Sequence, residues 1–215
     1  ESLGLVQIPI DQIVGTRYSG RSSAFASNFM PILESNTEFA IKWAKLSTSH
    51  EKEGIHEPIK AWEYMNKFYV EEGNKRVSVM KFFGAISIPG TVTRILPKKT
   101  NDKNVKVYYE FVNFYRVSKV NYITFSEEGQ YAQLIKEMGK HPDEYWTDDD
   151  RLIFSSVYAR FTAAFHAQGG QELEVSSAEA FLSFLHLYSY ERVEEMSVEE
   201  INELVKKAWE EFVLL

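Results

Sequence analysis

Apolar and polar residues alternate through Leu5-Val6-Gln7-Ile8-Pro9-Ile10, the two-residue period of a strand with one buried face. Asp11 then opens a short turn or helix through Val14, and residues 15 to 23 form a polar loop carrying Arg17 and Arg21. Phe39, Trp43 and Leu46 recur at helical spacing and predict a helix over Glu38 to Leu46, with Gly54 closing the region in a conformation other residues avoid. Two short strands follow, Pro58 to Glu63 and Lys67 to Glu71, joined by a turn near Met65-Asn66. After Gly73-Asn74-Lys75-Arg76 and Val77 to Phe83, a further strand runs from Ile88 to Leu96. It starts beside Pro89, whose missing amide is tolerated at an edge or a strand start.

The charged stretch Lys98 to Asn104 marks the expected boundary between a domain over 1–98 and an α-helical one over 105–215. Lys106 to Val117 fits two patterns. Val107, Tyr109 and Phe111 alternate as in a strand, whereas Tyr108, Phe111, Val112 and Tyr115 share one helical face, the reading favoured here. Beyond it the pattern is helical. Ser126 is placed to cap a helix ending at Gly139, Thr147 one running to Gln168, and Ser176 with Glu179 forms a capping box. Ser197 with Glu200 forms another, opening a last helix over Val198 to Phe212. Ile153, Val157, Phe161, Ala164 and Phe165 make the apolar stripe of the Thr147 helix. Asp148-Asp149-Asp150 reads as first-turn acids favoured by the helix dipole rather than a metal cluster, and the aromatics from Tyr108 to Tyr115 read as core.

Composition narrows the chemistry. A length of 215 residues suits one or two domains, and 44% hydrophobic with 26% charged residues is ordinary for a globular chain. No apolar run approaches the ~20 residues that cross a bilayer. There is no cysteine, which removes disulfides, thiolate metal sites and cysteine nucleophiles and fits the reducing cytoplasm. A net charge of -7 argues against DNA binding without eliminating a local basic patch. The five histidines show no metal-ligand spacing, and no metal residue is assigned. The chain starts at Glu1 without a methionine and stops at Leu215 within a helical pattern, as expected of the N-terminal part of a longer protein.

The strongest candidate chemistry lies at Gly73-Asn74-Lys75-Arg76. If a helix starts near Lys75, its first amides are unpaired and meet a phosphate together with the positive end of the dipole. Gly73 lets backbone approach a ligand, Lys75 adds a point charge, and Arg76 a planar fork for two phosphate oxygens. The same Gly-Asn pair also fits a plain β-hairpin turn between Val70 and Val77.

Read in order, Ile8-Pro9-Ile10-Asp11, Gly54-Ile55 with Pro58-Ile59, Tyr69 to Arg76, Gly84, and Ile88-Pro89 with Val92 resemble the ParB/sulfiredoxin-like superfamily over roughly residues 6–97. The resemblance implies an α+β fold, a mixed sheet with helices, followed here by an α-helical C-terminal half. Sulfiredoxins carry a catalytic cysteine in the turn; Asn74 stands there, so sulfiredoxin chemistry is excluded. ParB proteins carry a glutamate and bind CTP with magnesium, so Asn74 leaves hydrolysis in doubt and no catalytic residue is assigned. Lys75 stands for the first ParB arginine and Arg76 matches the second. Arg17 and Arg21 are either closing residues over a triphosphate or solvated loop charges, and Glu57 either lines the pocket or is an exposed strand start. These features suggest a bacterial-type regulatory module that binds a nucleotide, CTP or ATP with Mg, or a phosphorylated small molecule. The alternatives are a DNA-associated transcriptional regulator and a nucleotide-hydrolysing or phosphotransfer enzyme, the latter requiring a carboxylate such as Glu57, Glu71 or Glu72 near the turn. A homodimer through the helical half is a further expectation.

Overall fold

A computed structural model describes every residue except Ser19, Arg21, Ser22 and Leu33. The chain divides into two compact units, Glu1–Lys98 and Lys99–Leu215. The first holds a mixed sheet and the second is helical, the α+β class expected.

In the first unit, strands β1 (Ser2–Pro9), β2 (Ile13–Thr16), β3 (Ile59–Tyr64), β4 (Lys67–Glu72) and β5 (Ser87–Arg94) lie in the order β1-β5-β3-β4-β2. The β1–β5 and β3–β4 pairs are antiparallel; β3–β5 and β2–β4 are parallel. Alternation sends Ile59, Ala61 and Glu63 of β3 to the buried face, with Phe68 and Val70 of β4 beside them. Ile8, Ile13, Ile88 and Val92 join that core, each buried aliphatic side chain contributing about 1.5–3 kcal/mol. Residues 11–14, expected as a turn or helix, split into a 3-10 turn over Ile10–Gln12 and the strand β2. A four-residue strand is too short for its own alternation to show, and β4 supplies its hydrogen bonds. β5 lies between two neighbours rather than at an edge. Pro89, opposite Gln7, sacrifices one donor there while the register continues on both sides of it.

The β3–β4 turn places Met65 and Asn66 at φ 53° and 62°, the doubly left-handed geometry that matches strand twist in two-residue hairpins. The Glu63 carboxylate accepts the Asn66 amide at 2.8 Å and the Arg94 Nε–H at 2.5 Å, and both charged side chains are almost wholly buried. The Glu1 ammonium donates to the Arg94 carbonyl at 2.9 Å, tying the chain start to this pair.

Helix α1 (Glu38–Glu53) is longer than its apolar signal, because the polar tail after Leu46 continues the backbone pattern until Gly54, at φ 78°, ends it. Its Trp43 indole donates to Ser78 Oγ at 2.8 Å on helix α2 (Asn74–Phe82), which buries Val77, Val79 and Met80.

In the second unit, the ambiguous segment is helix α3 (Lys103–Ser118), burying Val107, Tyr108, Phe111, Phe114 and Tyr115. Helix α4 (Gln130–Glu137) starts at Gly129 and not at Ser126, whose hydroxyl donates instead to Glu179. Capping boxes Thr147/Asp150, Ser176/Glu179 and Ser197/Glu200 open α5 (Asp148–Ala167), α6 (Ser177–Tyr188) and, after the short α7 (Tyr190–Glu195), α8 (Val198–Lys207). The expected last helix is interrupted at Ala208, and α9 (Trp209–Val213) completes it. On α5 the buried stripe runs through Phe154, Val157, Phe161 and Phe165, while Ile153 is partly exposed. No helix among the described residues is long and apolar enough to cross a membrane.

Candidate functional site

β4 delivers the chain to Gly73, which has φ 105° and ψ 20°. A Cβ at this point would lie 2.6 Å from Ile59 Cγ2, so steric exclusion and a left-handed backbone both require glycine. α2 begins at the next residue, so the turn is a helix start and not a hairpin. No side chain among the described residues caps it. Its leading amides therefore present donors and the positive end of the dipole without a capping oxygen. Helix α4 starts on a left-handed glycine in the same way, yet there the Gly129 amide donates to both Glu110 oxygens, at 3.0 and 2.8 Å. The chain supplies its own anion at α4, and none of its described side chains caps α2.

Asn74 is only 7% exposed, and its Oδ1 is buried without a hydrogen-bond partner. Buried polar atoms are nearly always partnered, and a side-chain amide turned by half a revolution offers NH2 donors instead. The Lys75 ammonium lies 4.5 Å from the centre of the Phe39 ring and adds positive charge beside Glu38, whose carboxyl is held below its usual range chiefly by Lys42.

Arg76 is 17% exposed and has a structural task that the sequence did not reveal. Its Nη1 donates to the Glu57 carbonyl at 3.0 Å and the Pro58 carbonyl at 2.8 Å, pinning the entry of β3 to α2. The Glu57 carboxylate lies 3.6 Å from the same nitrogen but is 87% exposed, so its backbone is what the site uses. Nε and Nη2 of Arg76 have no hydrogen-bond partner among the described residues.

Glu57 and the Gly73-Asn74-Lys75-Arg76 run thus meet at the start of α2. Arg17 is engaged elsewhere: its Nη1 is 2.8 Å from Glu71 Oε1 and its guanidinium stacks 3.9 Å over the Trp62 ring. Trp62 Nε1 at 2.8 Å and the Tyr18 hydroxyl at 3.0 Å also donate to Glu71. These two bonds, with Arg17, hold the Glu71 carboxyl below its usual range. Arg21 lies outside the described residues. Trp62 and Tyr18 were missed from the sequence, although Trp62 stands on the outward phase of β3, opposite Tyr69, where an aromatic is conspicuous. Of the carboxylates nearest the turn, Glu71 is held as described and Glu72 pairs with Lys60 at 2.8 Å. No group of three metal-capable side chains occurs among the described residues.

No family model matches the chain, and no curated protein matches it. Among solved structures the chain is similar to a sulfiredoxin from Arabidopsis thaliana, at 20% identity over 42% of this chain and 85% of that one, with a TM-score of 0.31.

Proposed function

We propose that the first unit binds a small phosphate-bearing ligand, a nucleotide such as CTP or ATP with Mg foremost, at the start of α2, and serves as a regulatory module. The uncapped start at Gly73 carries this reading, because the matching start at Gly129 is closed by the chain's own carboxylate. A phosphate there accepts from the first-turn amides and faces Lys75, and the remaining donors of Arg76 add a second contact. Asn74 gives the ligand a side-chain amide whose oxygen lacks a partner. Binding without turnover is the favoured form, since Glu71 and Glu72 are committed to Trp62, Tyr18, Arg17 and Lys60.

The test is thermal unfolding with ATP, CTP, GTP and inorganic phosphate, with and without magnesium, beside Lys75→Glu. A ligand at about 100 times its Kd stabilises by about 2.7 kcal/mol, and the charge reversal is expected to abolish that shift. Arg76→Ala is a poorer probe, because it also strips the Glu57 and Pro58 carbonyls of their donor. No shift from any of these compounds, or an equal shift in Lys75→Glu, would reject the reading. Nucleotide turnover in the same samples would move it to the enzyme alternative.

A further inference from the structure

The second unit contains a cleft of about 430 Å³, within the size range of small-molecule sites, between the end of α4 and the start of α7. Tyr190 forms part of its wall. The side chain is only 7% exposed, its ring stacks on Phe154, and its hydroxyl has no hydrogen-bond partner among the described residues. Burial pushes that phenol well above its usual range, and the negative charges of Glu194 and Asp150, two other walls, push it in the same direction. The hydroxyl end therefore lies in the field of the cleft carboxylates.

The charges around it do not balance. Lys140 is held by Asp150 and Glu144, each at 2.9 Å. Glu191 and Glu194 have no cation within ion-pair distance among the described residues; Lys136 at the rim and Arg160, whose guanidinium donates to the Glu194 and Met196 carbonyls and acts on the phenol, stand against Glu137, Glu191 and Glu194. Met138 and Ile153 supply apolar surface between the charged walls. Ser189, which also lines the cleft, has φ 56° and ψ 146°, a region nearly restricted to glycine. Such a conformation persists only where its surroundings enforce it and concentrates at ligand sites. Here it separates α6 from α7 and sets the direction in which Tyr190 and Glu191 leave the turn.

We propose that this cleft binds a small aliphatic amine, with an ammonium group seated by the Tyr190 hydroxyl and the Glu191 and Glu194 carboxylates and the alkyl chain lying along Met138 and Ile153. An ammonium donates to the unpartnered phenol oxygen and neutralises the excess carboxylate at once. A carboxylate ligand would do neither.

The experiment is calorimetric titration of the full chain with putrescine and spermidine, against KCl of matched ionic strength, with Glu194→Gln and Tyr190→Phe alongside. Tyr190→Phe keeps the ring on Phe154 and removes only the oxygen; circular dichroism checks that both variants are folded. Saturable binding that weakens about tenfold or more in each variant is expected. No binding, equal affinity in the variants, or a response reproduced by KCl would overturn the proposal.

Discussion

Helices α2 and α4 start alike and end their starts differently. Both leave a left-handed glycine, Gly73 and Gly129, and neither has a capping side chain from its N-cap. At α4 the Glu110 carboxylate takes the Gly129 amide with both oxygens, so the positive end meets an internal anion. At α2 no described side chain does so; Lys75 and Arg76 lie in its first turn, the latter turned to two carbonyls, and the exposed Glu57 carboxylate faces Arg76 rather than the amides. α5, α6 and α8 close their own starts with capping boxes. The start of α2 differs from these in lacking a described capping side chain while Lys75 and Arg76 lie within its first turn.

The largest effect is expected where the two glycines differ. Gly73→Ala must displace Ile59 from 2.6 Å and hold a left-handed alanine, a loss of about 3 kcal/mol or more in urea unfolding. Gly129→Ala meets nothing within 4 Å and is expected to lose only the backbone term, about 1–2 kcal/mol. Equal losses would remove the claim that Gly73 is held by packing.

A smaller effect separates the two helix starts. Glu110→Gln leaves the Gly129 amide an acceptor but no charge, and should cost about 0.5–1 kcal/mol. It should also make stability newly responsive to inorganic phosphate, measured by thermal unfolding. An unchanged protein would mean that Glu110 contributes nothing at that helix end.

The smallest concerns the sealed starts. The Asp150 carboxyl lies below its usual range, first through the Lys140 ammonium and then through the Thr147 amide and hydroxyl. Its folded value being depressed, its contribution is present above the unfolded value of about 3.9 and is lost as pH falls through the folded one. The acid limb of melting temperature against pH should therefore be shallower in Asp150→Asn. Superimposable limbs would show that the carboxylate has no linkage to folding.

What could be read from the chain follows the range of each signal. The β3–β4 hairpin and the three capping boxes are local, fixed by residues a few positions apart. Ser126 had the right residue type for a cap and failed, because Glu179, far away in sequence, claimed its hydroxyl. Arg76 was singled out for its charge, and only the approach of Glu57 and Pro58 shows where its Nη1 is spent. For Arg17 the resemblance implies a closing residue over a triphosphate, with a solvated loop charge as the alternative, yet Trp62 and Glu71 hold it.

By itself the sequence determined the α+β class, the helical back half and a glycine turn at Gly73, since periodicity, caps and glycine placement act over one or two turns of chain. Both a helix and a hairpin fit the pattern after this turn, and the helix forms. Tertiary structure alone decided the parallel pairing of β2, the burial of Glu63 with Arg94, the open start of α2 against the sealed start of α4, and the cleft around Tyr190. Each of these depends on groups distant in sequence meeting at hydrogen-bond range, and no local pattern encodes which pairs will meet.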